Sequence, residues 1–171
     1  MNKRRDTPLS FAFTKTLELL EPIECFVTFG TLLGLTREGR LMEEDWDVDF
    51  HVRKNHADIL REEITNSGLY RELPPIDDDI IQYKFNSVKV DFSLYEEKEE
   101  YLVDRFTYSW NSVSHLWIPK KWVYPISNNK VPSRPERLCH YFYGRRWKEK
   151  LVKFKDYKET CVDHAPKVTY L

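Results

Sequence analysis

Three aspartates at alternate positions, Asp45, Asp47 and Asp49, follow closely on a glycine–threonine pair, Gly30-Thr31, and an arginine, Arg37. In an extended strand, residues two apart point to the same side. The three carboxylates would therefore share one face, with Trp46, Val48 and Phe50 on the other. Carboxylates held side by side repel, and burying them uncompensated is costly. A divalent cation is the usual remedy, and hard oxygen ligands suit Mg²⁺ or Mn²⁺. A fourth acid, Asp91, lies in a second alternating run, where Val88, Val90 and Phe92 interleave with Lys89, Asp91 and Ser93. If the two strands are neighbours, Asp91 faces the same ion. Asp45, Asp47, Asp49 and Asp91 are thus the candidate metal ligands.

The residues before the acids suit a phosphate. Glycine at position 30 lets the backbone approach an anion closely. The helix expected after it offers free amide groups at its positive end, and the Arg37 guanidinium can pair with phosphate in a forked geometry. An isolated Asp-x-Asp is common on surface strands; here both acid-bearing strands are otherwise apolar, which favours a metal–phosphate site. The histidines show no ligand spacing, although His51 shares a strand face with Asp49. The tryptophans, Trp147 among them, can stack on a sugar or a base, but core packing is their commoner use.

Apolar spacing predicts a helix over residues 8–20 and a buried strand over 25–29. Gly30 would end that strand, and Thr31 would cap a helix running to about Glu38. A second strand is predicted over 47–52. Asn55 would cap the next helix, with Ile59, Leu60 and Ile64 inward and Gly68 as its stop. Runs at 80–85 and 88–94 flank Asn86-Ser87 and read as a hairpin, and 102–108 and 115–118 as further strands. Ser133-Arg134-Pro135-Glu136 has the form of a capping box opening a last helix that Gly144 ends.

At 171 residues, with 41% hydrophobic and 15% aromatic content, the chain can bury a real core and is expected to form a single domain, with a polar tail over 1–7 and a C-terminal extension over 149–171. A net charge of −1 lacks the basic excess of a nucleic-acid-binding protein. Three widely spaced cysteines, Cys25, Cys139 and Cys161, do not make a disulfide framework and suit a reduced, cytoplasmic setting. The basic start is followed by no long apolar segment, and no transmembrane run is present; peripheral membrane contact stays open.

The order of these features resembles the nucleotidyltransferase fold of the DNA polymerase β-like enzymes: apolar strand, Gly-Thr, helix, Asp-x-Asp, and a later third acid. The closer resemblance is to the LicD/fukutin family, carried by Gly30-Thr31-Leu32-Leu33-Gly34, Arg37, Asp45-Trp46-Asp47-Val48-Asp49, Val88-Lys89-Val90-Asp91-Phe92, and Tyr141-Phe142-Tyr143-Gly144 with Trp147. Bacterial members have an acid where Trp46 stands, and the chain is short for the family, so acceptor-binding parts would be missing or come from a partner.

The resemblance implies an α+β fold with a mixed or antiparallel sheet and helices packed on one side. It implies an enzyme that moves a substituted phosphate, such as phosphocholine or an alditol phosphate, from a CDP-activated donor to a hydroxyl of a glycan or lipid-linked glycan. Asp45, Asp47, Asp49 and Asp91 would hold one or two Mg²⁺ or Mn²⁺ ions, with Asp91 as base. Gly30, Thr31 and Arg37 would bind the donor diphosphate, and Tyr143 and Trp147 would reach substrate. A nucleotidyltransferase that moves a whole NMP to a small molecule or protein, and a non-catalytic nucleotide-binding relic, are the alternatives.

Overall fold

The computed structural model describes residues 7–105 and 116–150. Helix α1 (Pro8–Leu19) opens on Thr7, whose hydroxyl accepts the Ser10 N–H at 3.1 Å, with Pro8 in the first turn where its missing N–H costs nothing. Strand β1 (Cys25–Val27) leads into α2 (Phe29–Glu38), and β2 (Asp47–Arg53) returns antiparallel to β1, pairing Phe26 with His51. After a short 3₁₀ turn, Lys54–His56, come α3 (Ala57–Ser67), the two-residue β3 (Arg71–Glu72), and the hairpin of β4 (Ile80–Phe85) and β5 (Val88–Lys98). Strands β6 (Tyr101–Asp104) and β7 (Leu116–Pro119) follow, then α4 (Lys120–Val123) and α5 (Pro135–Tyr143).

Among the described residues, seven strands form one mixed sheet in the order β1-β2-β5-β4-β3, with β6 bridging β5 and β7. Only the central pair, β2 and β5, is parallel among the described strands. That pair sets the chemistry. Its register places Val48 beside Val90, Phe50 beside Phe92 and Val52 beside Leu94, all buried. Helix α1 lies on this apolar face, with Phe13 stacked on Phe50 at 6.2 Å and Phe11 against Phe85 at 5.7 Å. Because side chains alternate, the opposite face of the same strands carries the polar set. Burial of the apolar face therefore dictates where Asp47, Asp49 and Asp91 point.

Several local expectations are corrected. Strand β1 stops at Val27: the Thr28 N–H makes the last bond of the β1–β2 register, to the Asp49 carbonyl at 3.1 Å, and the chain then turns away through Phe29 at φ 42°. A left-handed phenylalanine is strained; its ring is held against His51 and Phe142 at 5.3 and 5.0 Å. The helix thus begins at Phe29, with Thr28 rather than Thr31 at its N-cap. His56, not Asn55, precedes α3, and Ile59 is exposed, leaving Leu60 and Ile64 to face the core. Ser133 does not cap α5: Arg134 holds the N-cap position, and the Ser133 hydroxyl points to the Lys121 carbonyl. Gly68 does end α3, in the left-handed conformation. The expected strands over 102–108 and 115–118 appear as β6 and β7; residues 106–115, the first six residues and 151–171 lie outside the described residues. Cys25 and Cys139 are buried free thiols, each pushed up to about 12 by burial. No helix among the described residues is long and apolar enough to cross a membrane.

Candidate active site

The polar face is organised in rungs that run across β2, β5 and β4. Asp49 pairs in register with Asp91, and Asp91 with Gln82; one step along, Asp47 pairs with Lys89 and Lys89 with Lys84; one step the other way, His51 pairs with Ser93. The Asn86-Ser87 turn fixes the β4–β5 register, so Gln82 and Asp91 are forced opposite one another. Carboxylate oxygens of Asp47, Asp49 and Asp91 all lie within 4.8 Å of one another, a spacing that one cation can bridge.

Each acid is held by its surroundings. The Asp49 backbone N–H donates to the Thr31 hydroxyl at 2.9 Å, and Thr28 N–H to the Asp49 carbonyl, so the first turn of α2 is stapled to β2 at the acid itself. Asp91 accepts from Gln82 Nε2 at 3.0 Å on Oδ1 and from Lys89 Nζ at 2.7 Å on Oδ2; the same ammonium is 3.6 Å from Asp47 Oδ2. Burial raises the pKa of Asp49 well above the ordinary carboxylate range, and the charges of Asp47, Asp91 and Asp45 push it further. Burial also raises Asp91, opposed by Lys89 and Gln82. Burial alone would lower Lys89, but its hydrogen bond to Asp91 and the surrounding carboxylates outweigh that and raise it. The site is a set of hard oxygen ligands that repel one another, with the Lys89 ammonium already seated where positive charge is needed.

Asp45 is not one of this triad; it lies in the loop before β2, with its carboxyl hydrogen-bonded to that of Asp47. Its Oδ1 accepts the Trp46 N–H at 3.1 Å. Burial, and next the charge of Asp47, raise it to about 7. Its carboxylate occupies the space beside Gly30: a Cβ there would sit 2.6 Å from Asp45 Oδ2. Gly34, one turn later, is hemmed in by backbone, with a Cβ placed 2.8 Å from the Arg40 carbonyl and 2.9 Å from Met42 N. Both glycines of the Gly-Thr-Leu-Leu-Gly stretch thus let the loop carrying Asp45 cross close over α2. The Arg37 guanidinium binds protein groups on that loop side: Glu38 Oε1 at 2.7 Å, Met42 Sδ at 3.1 Å and the Glu149 carbonyl at 3.2 Å.

The remaining candidates are placed elsewhere. Tyr143 is 1% exposed, packed in the core on α5. Trp147 is buried and lines a cavity of about 380 Å³ with Trp122, His140 and Tyr141. His51 shares the face of Asp49 but is fully buried under Phe26 and Phe29, with Nε2 2.7 Å from Asp104 Oδ2, and is no member of the acid cluster. Lys89 and Gln82 were missed as site residues from sequence. Alternation about Asp91 marks Lys89, and counting back across the two-residue turn marks Gln82.

Comparison with known proteins bears on the fold and the family. Among solved structures, the chain resembles the antibiotic-resistance factor ANT(2")-Ia in complex with adenylyl-2"-tobramycin, with a TM-score of 0.52 at 14% identity, covering 78% of this chain and 74% of that one. It also resembles the lincosamide antibiotic adenylyltransferase LnuA bound to lincomycin, with a TM-score of 0.53 at 11% identity, covering 68% and 73%. The solution structure of ANT(2'')-Ia gives 0.51 at 11% identity, over 88% and 79%. At these identities the likeness shows the fold, which is that of the nucleotidyltransferases. No curated protein matches the chain in sequence. The family model described as LicD/FKTN/FKRP, nucleotidyltransferase domain, matches residues 22–133, a span that holds the glycine stretch, all four aspartates and the pair Lys89 and Gln82. The chain belongs to the LicD/FKTN/FKRP family of nucleotidyltransferase domains.

Proposed function

We propose that the protein is a metal-dependent phosphotransferase that moves a substituted phosphate, phosphocholine or an alditol phosphate, from a CDP-activated donor to a glycan hydroxyl. The observation that carries this reading is the in-register Asp49–Asp91 pair with Asp47, three carboxylates within 4.8 Å of one another. Their chemistry fits Mg²⁺ or Mn²⁺: all the ligands are oxygens, and the Lys89 ammonium already stands in for a cation at 2.7 Å from Asp91. When bound, such an ion supplies charge neutralisation on the diphosphate and on the attacking and leaving oxygens.

The residues' own work is positioning and proton handling. Asp47 and Asp49, with Asp45 beside them, hold the ion; Asp49 is kept rigid by Thr31. Gly30 and Thr31 at the start of α2 bring its amide end next to the acids. The acceptor hydroxyl oxygen forms a bond to the phosphorus of the substituted phosphate, and the bridging P–O bond breaks, with CMP leaving on the electron pair. The hydroxyl proton passes to Asp91, which Gln82 orients. Positioning and charge stabilisation supply most of the rate gain. Arg37 adds positive charge at the C-terminal end of α2 and binds the donor only after giving up a partner such as Glu38.

Product analysis with CDP-choline and CDP-alditols in the presence of Mn²⁺ tests the reading. Release of CMP with the substituted phosphate on the acceptor is expected. Release of pyrophosphate from a nucleoside triphosphate, with NMP on the acceptor, would replace it with nucleotidyl transfer.

A further inference from the structure

Lys89 stands on β5 two residues before Asp91, on the same face, and its position follows from strand pairing on both edges. Its backbone is fixed by β2 on one side and β4 on the other, so only the side chain can move. The ammonium sits 2.7 Å from Asp91 Oδ2 and 3.6 Å from Asp47 Oδ2, with side chains of both acids 17% exposed. It also lies 5.3 Å from the centroid of the Trp46 ring, which at 70% exposure marks the solvent side of the cleft. Three carboxylates within 4.8 Å would fly apart if nothing neutralised them, and Lys89 is the positive group seated between two of them. Both Asp91 oxygens already accept, Oδ1 from Gln82 and Oδ2 from Lys89, so a cation coordinated by the triad would sit at or beside the oxygen that Lys89 holds, and two positive charges that close repel strongly at this degree of burial.

We propose that Lys89 is the resident counter-ion of the acid cluster, that it competes with the divalent cation for Asp91, and that once displaced it swings past Trp46 to pair with the donor's phosphate. The inference rests on the phosphotransferase reading and adds a residue to it. Lys89 preserves the triad's geometry before the ion arrives, and hands Asp91 over when it does. Its four-carbon stem gives the ammonium the reach for both positions.

The experiment is a Mn²⁺ titration of the full chain by calorimetry, wild type against Lys89→Met and Lys89→Arg, followed by CDP titration at saturating Mn²⁺. Lys89→Met retains the length of the stem without the charge. It should bind Mn²⁺ roughly tenfold tighter than wild type, the scale of one competing charge-assisted contact. It should bind CDP in the presence of Mn²⁺ roughly tenfold more weakly. Lys89→Arg should stay close to wild type in both. If Lys89→Met does not fold, Lys89→Gln replaces it with the same expectations. Equal or weaker Mn²⁺ binding by the neutral variants would overturn the competition, and unchanged CDP binding would overturn the phosphate contact. A wild type that binds no Mn²⁺ would bring down the metal-site reading itself, a failure separate from either of these.

Discussion

Replacing Gly30 by alanine separates the two things a glycine can do at this position. Gly30 is in the first turn of α2 with no left-handed backbone, so alanine is conformationally acceptable and improves helix propensity by about 1 kcal/mol. The obstacle is space. The new Cβ would lie 2.6 Å from Asp45 Oδ2, whereas ordinary contact begins near 3.4 Å. The oxygen must retreat by the difference, 0.8 Å, and the Asp45 side chain can do so by rotating at little cost in folding. The stability of Gly30→Ala should therefore stay within about 1 kcal/mol of wild type. Turnover should fall by roughly 10- to 100-fold, the scale of an ångström-sized misplacement in a site that works by positioning. The assay is CMP release with Mn²⁺, beside a thermal melt, in a double-mutant cycle with Asp45→Ala. Once Asp45 is truncated nothing remains to collide with, so adding Gly30→Ala should cost no further activity. Full additivity in the cycle would refute the collision and return Gly30 to a direct role against the donor phosphate.

Gly34→Ala meets backbone instead of a side chain, and should destabilise the fold by about 1–3 kcal/mol in denaturant melts, since the loop at Arg40 and Met42 cannot move freely. Thr31→Val keeps the shape but leaves the half-buried Asp49 N–H without its acceptor, at about 1–3 kcal/mol, measured in the same way. The raised carboxylates also make stability fall with pH. Asp45 at about 7, and Asp49 and Asp91 above their usual range, keep protons in the folded chain that the unfolded chain has released. This contribution is present below the unfolded value near ~4 and is lost as pH rises through the folded values. In EDTA the melting temperature should drop between about pH 4 and 7, an interval bounded by the unfolded value and by Asp45. Asp49→Asn removes one of the repelling charges, so its metal-free melting temperature should exceed that of wild type at pH 8 while Mn²⁺ binding is lost.

The parts of the fold legible in sequence are those where one local pattern decides. The alternation over 47–52 and 88–94 predicts the strands found at Asp47–Arg53 and Val88–Lys98 and the common face of Asp49 and Asp91, because burial of Val48, Phe50, Val90 and Phe92 allows one orientation. The glycine-rich stretch marks the turn into α2, yet its physical reason is the loop crossing over it, a long-range contact that periodicity does not carry. The same holds for Asp45, which belongs to the strand pattern by spacing but sits before the strand. Tyr143 and Trp147 match the family's ending, and the structure gives them to the core. The His51–Asp104 pair joins residues from separate strands that no motif links.

Crystals soaked in Mn²⁺ and measured for anomalous scattering address the acid cluster itself. The expected result is a peak between Asp47, Asp49 and Asp91, within about 2.0–2.6 Å of their carboxylate oxygens, with Lys89 withdrawn from Asp91. A map with no Mn²⁺ at these carboxylates, at concentrations that support turnover, would contradict a cation-assisted transfer at this site.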